Sequence, residues 1–357
     1  MFTSLTLSVL SAILPIVLAQ DSGSGYVQGL IEQLNNIGHT EAANLLTRVN
    51  SSGTAPWLSQ LQNGSYTVFV PDNAALSNLP SNVSSNDTLV SDFLSYHFVY
   101  GDFRNTSDNG TGSGGSGPSA PGLLGGIYPN STIGRSLLNS SEFVQLEGNK
   151  SQVLAWSRLG TDGNITLLNQ NDITVYNGST YENLFLNSIN GVIIPPGNLA
   201  TSLNTTNATS FLNFTEQVIE VGSNGTNVTA LDFLNNTRGF TLFVPDNTAF
   251  ETAQLSEFQS NQTALMALLG NHILNGTTQY SPDFENATAS GFPANYTTAS
   301  GETLSVSSNT SGLFLQNQNG SSAQITRPNI LLENGVYHII SNVLVETDSN
   351  PAQASAA

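Results

Sequence analysis

Apolar residues follow helical spacing at Leu30, Ile31, Leu34 and Ile37, and again at Ala42, Leu45, Leu46 and Val49. Spacings of three and four put such residues on one face of a helix. The same spacing returns at Phe211, Phe214, Val218 and Ile219, followed by Leu231 and Leu234. After each helical stretch comes a run of β-forming residues, Thr67-Val68-Phe69-Val70 and Thr241-Leu242-Phe243-Val244, and each run stops at Pro-Asp-Asn. Pro71 and Pro245 hold φ and lack a donor, while Asp72 and Asp246 can accept a backbone N–H as N-caps. Together with Asn73 and Asn247 they predict a strand-to-helix corner. A further helix is expected from Thr88 to Tyr100, with a partner from Gln262 to Leu274. Alternation then dominates at Leu304, Val306, Leu313, Leu315, Ile325, Val336, Ile339, Val343 and Val345, cut by turns at Ser311-Gly312 and Asn319-Gly320. Helices before strands, without βαβ alternation, indicate an α+β fold with a mainly antiparallel sheet.

These patterns occur twice. Thr67–Leu76 recurs as Thr241–Phe250 at an offset of 174, His97 pairs with His272 at 175, and Asn190-Gly191-Val192 pairs with Asn334-Gly335-Val336 at 144. Order is kept, so a domain is duplicated, and the first copy is expected to hold about 30 extra residues before its third landmark. The Gly- and Ser-rich stretch 105–126 accounts for most of them and should be a surface excursion. The expected division is residues 1–19 as a signal peptide, 20–199 as the first domain and 200–207 as a linker. Residues 208–347 form the second domain and 348–357 a flexible tail. The linker, polar in composition, should reach about 15 Å as a random coil.

The signal peptide is expected from the apolar stretch Leu5 to Leu18, closed by Val17-Leu18-Ala19 before Gln20. A second count agrees with secretion: the chain holds 23 Asn-X-Ser/Thr sequons among 42 asparagines. The candidate N-glycosylation sites are Asn50, Asn63, Asn82, Asn86, Asn105, Asn109, Asn130, Asn139, Asn149, Asn164, Asn177 and Asn204 in the first part of the chain. Asn207, Asn213, Asn224, Asn227, Asn235, Asn261, Asn275, Asn286, Asn295, Asn309 and Asn319 complete the set. No later apolar run is long enough to span a bilayer, and no apolar tail follows the small residues of the C-terminus, so neither a transmembrane span nor a lipid anchor is expected.

Composition narrows the chemistry. Seven Lys and Arg stand against 25 Asp and Glu, a formal net charge of −18, so the field of the protein repels nucleic acid. Charged residues are 9% of the chain, and hydrated glycans would keep such a weakly charged surface solvated. Cysteine is absent, which removes disulfides, thiolate metal sites and cysteine nucleophiles. The histidines are His39, His97, His272 and His338, without HExxH or HxH spacing, so no metal or other cofactor is expected. His97 and His272 are read as core histidines bonded to the strand-helix corner, with Asn73 and Asn247 as candidate partners. Asp21-Ser22-Gly23 resembles half of an aspartic-protease site, but paired triplets are needed there, and no GxSxG elbow is present. Asp108-Asn109-Gly110 lacks the other ligands of a calcium loop.

The Phe-Val-Pro-Asp-Asn corner, the Tyr96-His97 step and the closing Asn334-Gly335-Val336-Tyr337-His338-Ile339-Ile340 resemble, in order, the three signature segments of fasciclin domains. The resemblance covers about residues 25–199 and 208–346. It implies two tandem domains, each a β-sandwich or wedge flanked by a helical layer, with extracellular adhesion or wall roles and no catalysis. Arg327-Pro328-Asn329-Ile330 resembles the Pro-Asp-Ile adhesion motif of animal members, with Asn329 in place of the aspartate. Tyr96, Pro328, Asn329 and Ile330 are therefore the candidate adhesion residues. The first copy has Leu184-Phe185-Leu186 at the place read as corresponding, Tyr96 where the second has Asn271, and Ile194 where the second has His338.

The reading is a secreted glycoprotein that binds non-covalently at a cell surface, cell wall or matrix. Its expected partners are surface, wall or matrix proteins or polysaccharides, or another copy of itself, and two modules would add weak contacts by avidity. The alternative is a secreted hydrolase or carbohydrate-processing enzyme using paired carboxylates, whose spacing is spatial and therefore not visible in sequence.

Overall fold

A computed structural model describes residues 22–104, 131–159, 164–170, 172–221, 225, 227–253, 255 and 260–354. The expected signal peptide (1–19) and the Gly/Ser-rich insertion (105–126) lie outside the described residues. In the first domain α1 (Ser22–Asn36) and α2 (Thr40–Ser52) precede β1 (Tyr66–Pro71), then α3 (Asn73–Ser77), α4 (Ser81–Ser84), α5 (Asp87–Tyr96) and β2 (Phe98–Tyr100). β3 (Ser131–Arg135), β4 (Val153–Leu159), β5 (Asn164–Leu167), β6 (Val175–Tyr181) and β7 (Leu184–Ile189) complete it. The second domain comprises α6 (Leu199–Thr205), α7 (Thr209–Gln217), β8 (Ile219–Val221), β9 (Asn227–Thr229), α8 (Ala230–Asn235), β10 (Phe240–Pro245), α9 (Asn247–Thr252), α10 (Gln262–Gly270) and β11 (Ile273–Asn275). It continues with α11 (Ser281–Ala287), β12 (Ala294–Thr297), β13 (Thr303–Asn309), β14 (Gly312–Asn317), β15 (Ser322–Leu331) and β16 (Val336–Ile340), and α12 (Pro351–Ala354) follows.

Seven of the second domain's strands form one sheet in the order β11-β10-β16-β15-β14-β13-β12, and β8 and β9 form a separate antiparallel ribbon. The first domain keeps that order but breaks it into β2-β1-β7-β6 and β5-β4-β3, joined by isolated bridges at both ends, Thr166 with Thr174 and Val99 with Ser136. Pairing is antiparallel apart from β1 with β7 and β10 with β16, which run parallel. β1 and β10 are buried along their whole length because both faces are covered. Val68 and Val70 point into the helical layer with Leu30, Leu46 and Leu186, whereas Phe69 points between the sheets with Trp156 and Ile189. Leu242 and Val244 repeat the first arrangement and Phe243 the second.

Several expectations need correction. The helices expected to run to Tyr100 and Leu274 stop at Tyr96 and Gly270, because Phe98–Tyr100 and Ile273–Asn275 pair with β1 and β10 as edge strands. Residues 200–207 are not a flexible linker. They lie largely in α6, where Asn198 caps the helix through Thr201 N–H at 2.9 Å and Leu199 and Leu203, one turn apart, are buried in the second core. The tail is tied down where it begins: Asn271 Nδ2 donates to the Glu346 and Asp348 carbonyls at 3.2 Å, and Asn350 N–H donates to Ser300 O at 2.7 Å.

The third landmark shifts as well. Phe185 faces Thr67 and Val336 faces Thr241, an offset of 151 rather than 144. The extra length in the first domain is accordingly 23 residues relative to the first landmark. Asn183, not Asn190, is the counterpart of Asn334: each side-chain amide donates to backbone carbonyls of the turn before the central strand, Leu61 and Gly64 in one, Leu234 and Thr237 in the other. His338 then matches Asn187 rather than Ile194, and Asn329 falls opposite Asn177-Gly178-Ser179 on β6 rather than Leu184–Leu186.

Candidate functional site

The repeated corners are built alike. Asp72 Oδ1 accepts Ala75 N–H and Asp246 Oδ1 accepts Ala249 N–H, each at 2.7 Å. The next asparagine fastens the corner to the preceding helix. Asn73 accepts Glu41 N–H at 3.0 Å and donates to Gly38 O at 2.9 Å, and Asn247 accepts Ser210 N–H at 3.0 Å and donates to Asn207 O at 2.8 Å. Pro71 and Pro245 close their strands, where the missing donor costs nothing.

His97 and His272 do not bond to these asparagines. Each is buried at the end of its helix, and its Nε2 accepts a backbone N–H, from Ile193 or Leu344, at 3.1 Å. Nδ1 therefore carries the proton and donates to the helix carbonyl of Phe93 at 2.7 Å or Leu268 at 2.8 Å. Burial lowers both histidines to about 4, with the carbonyl bond opposing it. Each neutral ring clamps a helix to the segment leaving the last strand. The histidine that does reach a corner is His39, bonded to Pro71 O at 2.9 Å and Ser188 Oγ at 2.8 Å.

The candidate adhesion residues are buried, and one of them, Asn329, is the centre of a polar hub between the domains. Asn329 is fully buried, and its backbone is left-handed (φ 61°), a conformation that Asn tolerates better than most residues. Its Nδ2 donates to Ser131 Oγ of the first domain at 2.6 Å and to Ser281 Oγ at 2.7 Å; its Oδ1 accepts Ser281 N–H at 2.8 Å. Asn169 of the first domain donates to Asn329 O at 2.5 Å. Asn329 N–H donates to His338 Nδ1 at 3.3 Å, which leaves His338 Nε2 protonated and donating to Gln279 O at 2.9 Å. Burial holds His338 at about 4, so this tautomer stays neutral. Ile330 packs into the second helical core, Pro328 is buried, and Tyr96 is fully buried with its hydroxyl donating to Val153 O at 2.9 Å. None of the four presents a surface to a partner in this conformation, because each is covered by the other domain or by core.

Around the hub the seam is apolar and then polar and charged. Ile133, Val153, Ala155 and Leu168 of the first domain pack on Tyr280, Leu331 and Val336 of the second. Gln145 N–H donates to Glu333 O at 2.7 Å, and Gln152 Nε2 donates to Leu332 O at 3.0 Å. Glu147 reaches across to accept Thr278 N–H at 3.2 Å and its hydroxyl at 2.9 Å while bound to Lys150 at 2.6 Å. Burial pushes its carboxyl upward, but these donors outweigh it and hold the group below its usual range. Gly239 (φ 72°) permits the approach, since a Cβ there would come within 2.5 Å of Glu147. Sequence reasoning missed this seam. The available signal was the unbroken apolar run Val153-Leu154-Ala155-Trp156, which lies in β4 and is buried throughout. A strand covered on both faces needs a second partner.

A model of the fasciclin domain matches residues 40–170 and 204–346, most of the chain. A fasciclin-like arabinogalactan protein of Arthroderma benhamiae is 25% identical over 287 residues, which is 80% of this chain. The chain spans 58% of that relative's length. Among solved structures, the FAS1 domain pair of the insect cell adhesion molecule fasciclin I aligns over 90% of this chain and 98% of its own, at 15% identity and a TM-score of 0.37.

Proposed function

This chain belongs to the fasciclin domain family, and on that premise we propose that it is a secreted N-glycoprotein acting by non-covalent binding at a cell surface, wall or matrix. The observation that carries the reading is where the asparagines lie. Of 18 sequon asparagines with described burial, 17 are exposed and Asn235 is half-buried. Of 18 other asparagines likewise described, only eight are exposed, and the five buried ones, Asn187, Asn271, Asn317, Asn329 and Asn334, are all outside sequons. A glycan is bulky and hydrated, so a chain that carries glycans must keep its acceptors on the surface. The arabinogalactan name of the fungal relative supports a wall setting.

Because the seam buries the motif residues, binding is assigned to the outer surface of the joined pair, with both domains presented in one orientation rather than on a tether. Among the described residues no helix is long and apolar enough to cross a membrane. The test is production of the full chain in a glycosylating host, followed by titration onto intact cells and isolated wall polysaccharides. Glycosylated protein in the medium with saturable binding is expected. Protein retained unglycosylated inside the cell, or a secreted protein that binds no surface, overturns the reading, and in the second case a substrate panel would test the carboxylate-hydrolase alternative.

A further inference from the structure

We propose that N-glycans close the sheet edges that the polypeptide itself leaves open. An uncovered edge strand offers unpaired N–H and C=O groups to a neighbouring chain, and proteins blunt such edges with charge, proline or covering segments. With so few charged residues, this chain has little of the first device to use.

Among the described strands, the edges are β2 and β6, β3 and β5, β8 and β9, and β11 and β12. Three of these carry no sequon, and the protein covers each. On β2, Phe98 O takes Leu137 N–H at 2.9 Å and Val99 pairs with Ser136. β3 starts in the domain seam, where Ser131 meets Asn329 and Ser281. On β8, Ile219 N–H is taken by Gln262 Oε1 at 3.1 Å.

The other five each hold one asparagine, and each of those is a sequon: Asn164 on β5, Asn177 on β6, Asn227 on β9, Asn275 on β11 and Asn295 on β12. Asn177, Asn227, Asn275 and Asn295 are exposed. Where the chain covers such an edge at all, the sequon stands beyond the cover. Among the described residues, β5 is met on its free side at Thr166 by Thr174 and at Leu167, whose N–H donates to Ile173 O at 2.8 Å, and Asn164 opens the strand. On β6 Gln33 Nε2 donates to Thr180 O at 3.4 Å, three residues past Asn177. On β11 Ala299 N–H donates to Ile273 O at 2.8 Å, and Asn275 closes the strand. Interior strands show the reverse: Asn187, Asn317 and Asn329 are buried and are not sequons. The one exception marks the rule's physical basis. Asn309 is a sequon on β13, but it sits at the hairpin end opposite Gly312, past the stretch Thr303–Val306 that pairs with β12.

A glycan at each open edge places a hydrated, branched chain where a second strand would have to dock, so copies crowded together in a wall or matrix remain separate. This inference rests on the secretory reading. The test uses the full chain secreted from a glycosylating host, with site-resolved mass spectrometry of every sequon. It compares Asn164, Asn177, Asn227, Asn275 and Asn295 changed together to Gln with a control in which Asn50, Asn204, Asn213, Asn286 and Asn319 are changed to Gln. Light scattering after size exclusion at rising concentration reads association. Glycans on the five edge sites, and loss of monomer in the edge variant while the control stays monomeric, are expected. If the edge variant does not fold by circular dichroism, folded wild type deglycosylated enzymatically takes its place and should lose monomer in the same way. Empty edge sites beside occupied helix sites, or an edge variant as monomeric as the control, overturns this inference and leaves the secretory reading standing. Absence of any glycan together with intracellular retention overturns both.

Discussion

Strands β6 and β15 occupy the same place in their domains, next to the central parallel strand, yet they meet opposite surroundings. β15 runs ten residues, bends at two register shifts and pairs with β16 along one part and β14 along the other. Its bend turns Asn329 into the seam. β6 runs seven residues, pairs with β7 alone and leaves Asn177 in solvent. The same topology thus yields a sealed, motif-bearing strand in one copy and an open, sequon-bearing edge in the other. Duplication conserves the sheet order, while β15, longer and with two register shifts against one in β6, is the strand of the pair that enters the joint.

The sharpest way to break this comparison is to cut a core on each side of it. Phe69→Ala and Phe243→Ala remove matched side chains buried between sheet segments, and each should cost about 3–5 kcal/mol. Because the seam is apolar and hydrogen-bonded, calorimetry should show both variants melting in a single transition. Two separated transitions would mean that the domains are thermodynamically independent.

The strand pair itself is tested by Asn329→Ala against Asn177→Ala in unglycosylated protein. The first leaves Ser281 N–H and two buried hydroxyls short of a partner and strains a left-handed residue, a loss of about 2–4 kcal/mol in urea unfolding. The second should stay within about 0.5 kcal/mol of wild type. Equal losses would remove the distinction between the two strands.

Acidification sharpens the comparison at His338, whose counterpart is Asn187. His97, His272 and His338 lie near 4 when folded, against 6.5 for the ordinary imidazole. Between those values the unfolded chain binds more protons than the folded one, so their contribution to stability is full above pH 6.5 and falls as pH drops toward 4. Glu285, which burial raises from 4.5 to about 7, acts in the opposite sense over much of this window, one group against three. His338→Asn should flatten the net slope by about 1.4 kcal/mol per pH unit in denaturation followed from pH 6.5 to 4. An unchanged slope would show that His338 takes up its proton normally in the folded state.

The smallest expected effect concerns the corners. Asp72→Ala and Asp246→Ala each lose one N-cap, about 1 kcal/mol, and should lose nearly the same amount in thermal melts because the two caps have the same geometry. A large inequality would show that the corners have diverged in role.

What the chain disclosed by pattern is local. The Pro-Asp-Asn corners, the amphipathic helices and the duplication were legible because caps, helical spacing and proline act within a few residues, and the α+β class followed from their order. The third landmark was misplaced by seven positions because Asn190-Gly191-Val192 imitates a turn, whereas the working turn, at Asn183, is identified by carbonyls more than a hundred residues away. Residues 200–207 looked like a linker since Thr, Ser and Asn dominate them, but two leucines one turn apart suffice once a core exists to receive them.

The candidate site was the least legible part. Pro328, Asn329 and Ile330 stood out by resemblance, and sequence alone could not show that Asn329 faces a serine 198 positions upstream. Sequence by itself determined the local elements, the lack of cysteine and of basic charge, and which asparagines can receive a glycan. Tertiary structure decided which of those asparagines lie on open edges, which motif residues are sealed, and that the two domains form a joint. Exposure and long-range hydrogen bonding depend on how distant segments meet, and no short stretch of sequence records that meeting.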